Sequence, residues 1–231
     1  MKRHIPNAVT CLNLFSGCLA VSQIFAGRLD LAAYFVALAA AFDFADGLLA
    51  RALHVSSPIG KDLDSLADMV SFGVVPGAML MQLLTRGGTD LPDWLPYLGF
   101  IVTVFSALRL AKFNNDTRQS DSFIGLPTPA CTLVVASLPL ILLDDRFNLA
   151  HLILNPWVLL VLTALLSGLL VAELPLFALK FKHFGWSGNA LRFVFLGLAV
   201  GLLFFLQAAA VPLIILLYVL LSVARPAPSG A

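Results

Sequence analysis

The sequence predicts an all-α membrane protein, a polytopic bundle of about eight transmembrane helices, and three observations carry that prediction. Of 231 residues, 60% are hydrophobic and only 12% charged, about half the ~25% charged share of a soluble domain. Mean hydropathy is +0.95. The apolar residues fall into repeated runs of about 17 to 24 residues, the length that crosses a ~30 Å hydrocarbon core as a helix. One integral membrane domain is expected over residues 1–225, followed by a short Pro/Ser/Gly tail at 226–231. Membrane lipid, not nucleic acid, is its expected surrounding.

The first span, near 8–26, follows Met1-Lys2-Arg3-His4, which has the form of a signal-peptide n-region. The further spans and the lack of a convincing A-x-A site favour an uncleaved helix. Asn7 and Asn13 sit at or near its start. Asn13, about two turns in, needs a partner: a neighbouring helix or a ligand. The second and third spans (31–53 and 62–84) are joined by Ala52 to Gly60, where Ser56, Ser57, Pro58 and Gly60 are turn residues. So short a loop makes antiparallel neighbours. The fourth span (94–112) ends in Arg109 and Lys112, at i, i+3, then Asn114, Asn115, Asp116, Arg118, Asp121 and Ser122. That pair is either a carboxylate-binding site or a solvated basic face; Asn114 either orients a substrate or caps the helix.

Gly125-Leu-Pro-Thr-Pro129 leads into the fifth span (128–143), as a turn or as a substrate-facing loop. The sixth (156–178) carries Glu173 and Pro175 late in its length; the acid either pairs internally or lines a cavity. Gly197-x-x-x-Gly201 in the seventh (191–206) suits close packing, within one subunit or in a homodimer. Only Gln207 and Pro212 mark off the eighth (209–224).

Lys and Arg placement sets the orientation. With the N-terminus inside, Lys2, Arg3, Arg51, Lys61, Arg109, Lys112, Arg118, Lys180, Lys182, Arg192 and Arg225 are inner. Only Arg28, Arg86 and Arg146 are outer. Cys11, Cys18 and Cys131 form no C-x-x-C pair and read as small buried thiols. His54 reads as a solvated loop residue or a ligand contact, and His4, His151 and His183 lie at helix ends or loops.

Two stretches stand apart: Asp43-Phe-Ala-Asp46-Gly47-Leu-Leu-Ala50-Arg51 and Gly60-Lys-Asp-Leu-Asp64-Ser-Leu-Ala-Asp68. Ionised groups in membrane-like sequence are costly and functional by default. Asp43 and Asp46 are i, i+3; Asp64 and Asp68 are i, i+4; each pair shares a helix face. Facing each other across the short loop, the pairs form an all-oxygen cage suited to Mg²⁺, Mn²⁺ or, as an occupant, Ca²⁺. Each pair rises about 4.5–6 Å along its axis, which accommodates two metals roughly 3.5–4 Å apart. The competing reading is a structural staple, the acids paired with Arg51 and Lys61. Two cations leave the four carboxylates in excess at a low-dielectric boundary, where unpaired charge is hard to support. Gly47 and Ala50 clear the helix face, Gly60 admits a close backbone approach, and Arg51 offers a planar fork to phosphate. Together these residues describe a site for a nucleotide diphosphate.

The spacing D-x2-D-G-x2-A-R-x8-G-x3-D-x3-D is met at every fixed position and resembles the signature of the CDP-alcohol phosphotransferase family of integral membrane enzymes. Four segments are similar to its membrane-integral phosphatidylserine synthase branch: Ile5-Pro6-Asn7 through Gly17, Asp64 through Gly73, Ala107 through Asn114, and Phe123 through Ala130. The resemblance implies transfer of a phosphatidyl group from CDP-diacylglycerol to L-serine, releasing CMP. It makes Asp43, Asp46 and Asp64 metal ligands, and Asp68 a ligand and general base. Gly47, Arg51 and Gly60 would contact CDP, with Ala50 beside them and Asn13 a candidate for the same moiety. Arg109, Lys112 and Asn114 are the acceptor-binding candidates. No Ser, His or Cys stands out as a nucleophile with a partner base, so direct displacement is expected. Glycerol 3-phosphate, inositol phosphate or choline as acceptor, or an ether-lipid donor, would use the same chemistry; a phosphorylated acceptor would need an additional anion pocket, which the cations near Arg109 could supply. A cation-coupled transporter would also hold acids, but near the midplane between repeated, broken helices; here they lie to one side and no repeat is visible.

Overall fold

A computed structural model of the chain describes residues 4–55, 58–88, 92–116, 123–177, 185 and 189–224. Expectations resting on Lys2, Arg3, Ser56, Ser57, Arg118, Asp121, Ser122, Lys180, Lys182, His183, Arg225 and the tail at 226–231 lie outside the described residues. The architecture is helical, in the order α1 (His4–Phe25), α2 (Leu29–Leu53), α3 (Pro58–Asp68), a π-helical segment (Met69–Val74) and α4 (Val75–Arg86). A 3-10 turn (Leu95–Phe100) leads into α5 (Ile101–Asn115), then β1 (Phe123–Ile124), α6 (Thr128–Asp144), α7 (Ala150–Ile153) and α8 (Pro156–Val171). After β2 (Pro175–Leu176) come α9 (Ala190–Leu206), a short 3-10 turn (Gln207–Ala209) and α10 (Ala210–Ala224).

Among the described residues, five segments are long and apolar enough to cross a bilayer: His4–Phe25, Leu29–Leu53, Pro58–Arg86, Leu95–Asn115 and Ala190–Ala224. Thr128–Asp144 and Pro156–Val171 are apolar but shorter. The last long segment is folded back on itself. Gln207 takes φ +51°, and the rings of Phe195 and Tyr218, about equally far on either side of it, lie 5.8 Å apart. That ring contact requires an antiparallel hairpin, as the Gln207 break suggested.

The core runs between α1, α2, α4, α6 and α8, where Ile24, Leu29, Val36, Met79, Leu83, Val135 and Leu159 are buried. Large apolar side chains also point outward, Phe15 at 60% exposure and Phe204 at 79%. Lipid tails are as apolar as Leu, so a membrane helix gains nothing by hiding them. The expectation of buried thiols holds for Cys131 alone. Cys11 and Cys18 are exposed, seven residues apart on an outer face where the surrounding apolar phase is itself the solvent for a small thiol. Gly197 and Gly201 also face outward: a Cβ at either would meet nothing within 4 Å. Among the described residues, neither packs against a neighbouring helix.

The third span is not a plain α-helix. Directly after Asp68 it widens into the π segment, and i→i+5 turns of this kind frequently mark functional sites. Hydroxyls from neighbouring helices donate to its carbonyls, Thr103 Oγ1 to Gly73 O (2.8 Å) and Thr132 Oγ1 to Phe72 O (3.0 Å). Ser71 Oγ donates outward to Asn13 O (3.1 Å). Gly17 makes that approach to α1 feasible, since a Cβ there would overlap Ser71 Oγ and lie 3.1 Å from its Cα. These bonds hold the turn beyond Asp68 to α1, α5 and α6.

Candidate active site

Two short local devices bring the acids together. Helix α2 ends at His54, which takes the left-handed conformation (φ 52°, ψ 42°), while Val55 N donates to Ala50 O (3.1 Å), a C-terminal αL cap of the kind that reverses a helix. Pro58 then opens α3, where its fixed φ suits the first helical turn. His54 is exposed and supplies the left-handed residue of the turn. The connection is therefore tighter than the Ala52–Gly60 loop expected from sequence.

Across it, one carboxylate oxygen from each of Asp43, Asp64 and Asp68 lies within 4.8 Å of the others. Asp46 is outside that trio. It is buried, at 6% exposure, and its Oδ2 has no hydrogen-bond partner. Arg51 and Lys61 do not neutralise these acids: among the described residues neither forms an ion pair with them. Lys61 Nζ donates instead to Asn114 O (3.3 Å). The staple reading thus fails on geometry. Clustered hard oxygens with an orphaned buried carboxylate oxygen beside them fit a divalent cation, which prefers such donors and would supply the missing positive charge.

Beside the acids opens a cleft of about 260 Å³ lined by Pro6, Asn7, Thr10, Asp46, Gly47, Ala50, Val55, Gly60, Lys61 and Asp64. Gly47, Ala50 and Gly60 all border it, as their lack of bulk suggested. The nearest atoms to a Cβ at Gly47 would be the Arg51 guanidinium, 3.6 Å away, so Arg51 lies over the glycine. Thr10 was not singled out by sequence. It shares a face of α1 with Pro6 and Asn7, and the i, i+3 spacing from Asn7 was the available signal.

Asn13 is fully buried and donates from Nδ2 to Asp68 Oδ1 (3.3 Å). Of the two partners open to it, the structure supplies the interhelical one. Its Oδ1 has no partner. Arg109 is also buried, at 6% exposure, with its guanidinium carbon 4.7 Å from the Phe113 ring centre. It is near enough to Asp68 for the two charges to interact. Arg109 therefore does not lie on a solvated face, whereas Lys112 is exposed. Asn114 Nδ2 donates to Ser65 Oγ (2.8 Å), tying the end of α5 to α3.

A model of the CDP-alcohol phosphatidyltransferase family matches residues 3–167. A CDP-diacylglycerol–serine O-phosphatidyltransferase from Bacillus subtilis is 31% identical over 185 residues, 78% of this chain and 91% of that protein. One from Helicobacter pylori is 32% identical over 145 residues, 62% of this chain and 59% of the relative. An archaetidylserine synthase from Methanothermobacter thermautotrophicus is 31% identical over 138 residues, covering 58% and 56%.

Proposed function

The chain belongs to the CDP-alcohol phosphatidyltransferase family, and on that premise we propose that it transfers the phosphatidyl group of CDP-diacylglycerol to the hydroxyl of L-serine. The observation that carries the reading is the trio of carboxylates gathered within 4.8 Å beside a cleft bordered by Gly47, Ala50 and Gly60. The serine acceptor is supported by the names of the Bacillus and Helicobacter relatives.

In the reaction the serine oxygen forms a bond to the lipid-side phosphorus. The bond from that phosphorus to the bridging oxygen breaks, and CMP leaves with the bond pair. Asp68 takes the serine hydroxyl proton, its carboxylate steadied by Asn13. Asp43, Asp46 and Asp64, with Asp68, would hold divalent cations, Mn²⁺ or Mg²⁺ and on this reading two. When bound, such ions neutralise charge on the diphosphate and on the departing phosphate. Gly47, Ala50 and Gly60 leave room for the nucleotide, and Arg51, over Gly47, reaches its phosphates. Arg109 receives the serine carboxylate with Lys112 nearby, and Asn114 orders the adjoining helix end. The bundle is read as eight crossings of a prokaryotic cytoplasmic membrane, with the acids facing the cytoplasm.

The test is CMP release by purified protein in mixed micelles containing CDP-diacylglycerol and Mn²⁺. L-serine, glycerol 3-phosphate, inositol phosphate and choline are offered one at a time. Release with serine alone is expected. Release with another alcohol only would retain the site and overturn the acceptor. No release from folded protein, together with substrate movement in liposomes, would favour a transporter.

A further inference from the structure

A second cavity, of about 350 Å³, opens beyond Arg109 and is lined by Arg109, Lys112, Asn115, Asp116, Ile124, Leu170, Val171, Ala172 and Glu173. Resting on the serine reading above, we infer that Glu173 binds the acceptor's ammonium group and makes the enzyme selective for a zwitterionic alcohol. Part of this cavity is built by chain beyond residue 167, where the family match ends.

The cavity lies between the C-terminal ends of two helices that differ in charge. A helix C-terminus carries a partial negative charge, which cations in the last turn offset. Helix α5 has Lys112 in its last turn and Arg109 before it. Helix α8 has no basic residue in its last turn, and Glu173 follows its cap, Ala172. Asp116, at the cap of α5, also lines the cavity, so the α5 side carries two cations against one acid and the α8 side carries Glu173 alone. Arg109 is buried and, among the described residues, makes no ion pair, so its fork is available to a carboxylate. A free α-amino acid presents charges of both signs a few ångströms apart and matches such a pocket. A phosphorylated alcohol brings only negative charge and meets the acid unpaired, which disfavours it.

The backbone that carries the negative pole, Glu173, is fixed in place. Strands β1 and β2 pair antiparallel, Phe123 opposite Leu176 and Ile124 opposite Pro175. Gly125 N donates to Leu174 O (3.0 Å) and Leu126 N to Leu169 O (2.8 Å). These bonds clasp the chain on both sides of Glu173. Gly125 has φ +76°, and a Cβ there would stand 2.7 Å from Leu170 O and 2.9 Å from Ala172 O. Only glycine admits this approach. From the far side, Tyr218 Oη donates to Phe177 O (2.9 Å), and Phe177 N to Ser222 Oγ (3.4 Å).

The test compares L-serine with 3-hydroxypropionate, which is serine without its ammonium group, in wild type and Glu173→Gln. CMP release is measured against acceptor concentration with CDP-diacylglycerol and Mn²⁺ present. Wild type is expected to prefer serine in kcat/KM, and the variant to lose about tenfold or more of that preference, as for a charged hydrogen bond. Because both acceptors share one preparation, a fall in folded fraction cancels from the ratio. An unchanged ratio overturns the assignment of Glu173 while leaving serine as acceptor. A wild type inactive with serine overturns the acceptor reading and this inference with it.

Discussion

The third span and the terminal hairpin are both apolar, yet the protein treats them in opposite ways. In the most apolar window of Pro58–Arg86, 61% of residues are buried inside the protein; in Ala190–Ala224 the share is 6%. The third span is gripped by hydroxyls at Phe72 O and Gly73 O and by Ser71 on α1. The hairpin presents Phe204, Phe205 and its two glycines outward and is fastened by Tyr218, Ser222 and a small aromatic cluster with Phe177 and Phe195. In lipid, hydrophobicity does not select one helix contact over another; close approach and polar bonds do. Carboxylates gathered at one point need fixed positions, and the acids sit where those bonds are dense.

Substitutions graded between the two regions should reveal that contrast. The largest effect is expected for Asp68→Asn: loss of about 10²–10⁴-fold or more in CMP release, the usual worth of a positioned base, with CDP-lipid binding retained. Substantial turnover would remove Asp68 from that role. Asn13→Leu should lower kcat about 10- to 100-fold, the range for a hydrogen bond to a charged group, with KM for CDP-diacylglycerol little changed. A rise confined to that KM would instead make Asn13 a nucleotide contact. Gly17→Val should cost about 1–3 kcal/mol by overpacking against Ser71, read as earlier thermal aggregation in detergent. In the hairpin, Tyr218→Phe should cost about 0.6–1 kcal/mol by the same readout. Gly201→Leu should change stability by less than about 0.5 kcal/mol and leave CMP release intact. A large loss there would mean the outer face of α9 is covered.

Much of this was legible in the sequence, and the reasons differ by residue. The acid pairs, the cleared face at Gly47 and Ala50 and the break at Gln207 were readable because helical spacing, side-chain size and chain punctuation are local properties. The π segment was not, because its stability comes from Thr103 and Thr132 on other helices. The burial of Arg109 was hidden for a related reason: at i, i+3 it and Lys112 look equivalent, and only the packing of α5 separates them. Asn13 was marked as needing a partner, but its choice of Asp68 depends on how closely Gly17 lets the π segment approach. Glu173 stood out as an acid near a span end, yet its relation to Arg109 emerges only once β1 and β2 pair.

The gathered acids have one most immediate consequence, a requirement for divalent metal. CMP release from CDP-diacylglycerol and L-serine should be measured with chelator-stripped protein, then as Mn²⁺ or Mg²⁺ is restored, with Asp43→Asn alongside. Stripped wild type should be inactive and recover with added metal, while the variant should need far more metal or fail to recover. Full turnover by stripped protein, or a normal metal requirement in Asp43→Asn, would contradict the assignment of Asp43, Asp64 and Asp68 as a metal site.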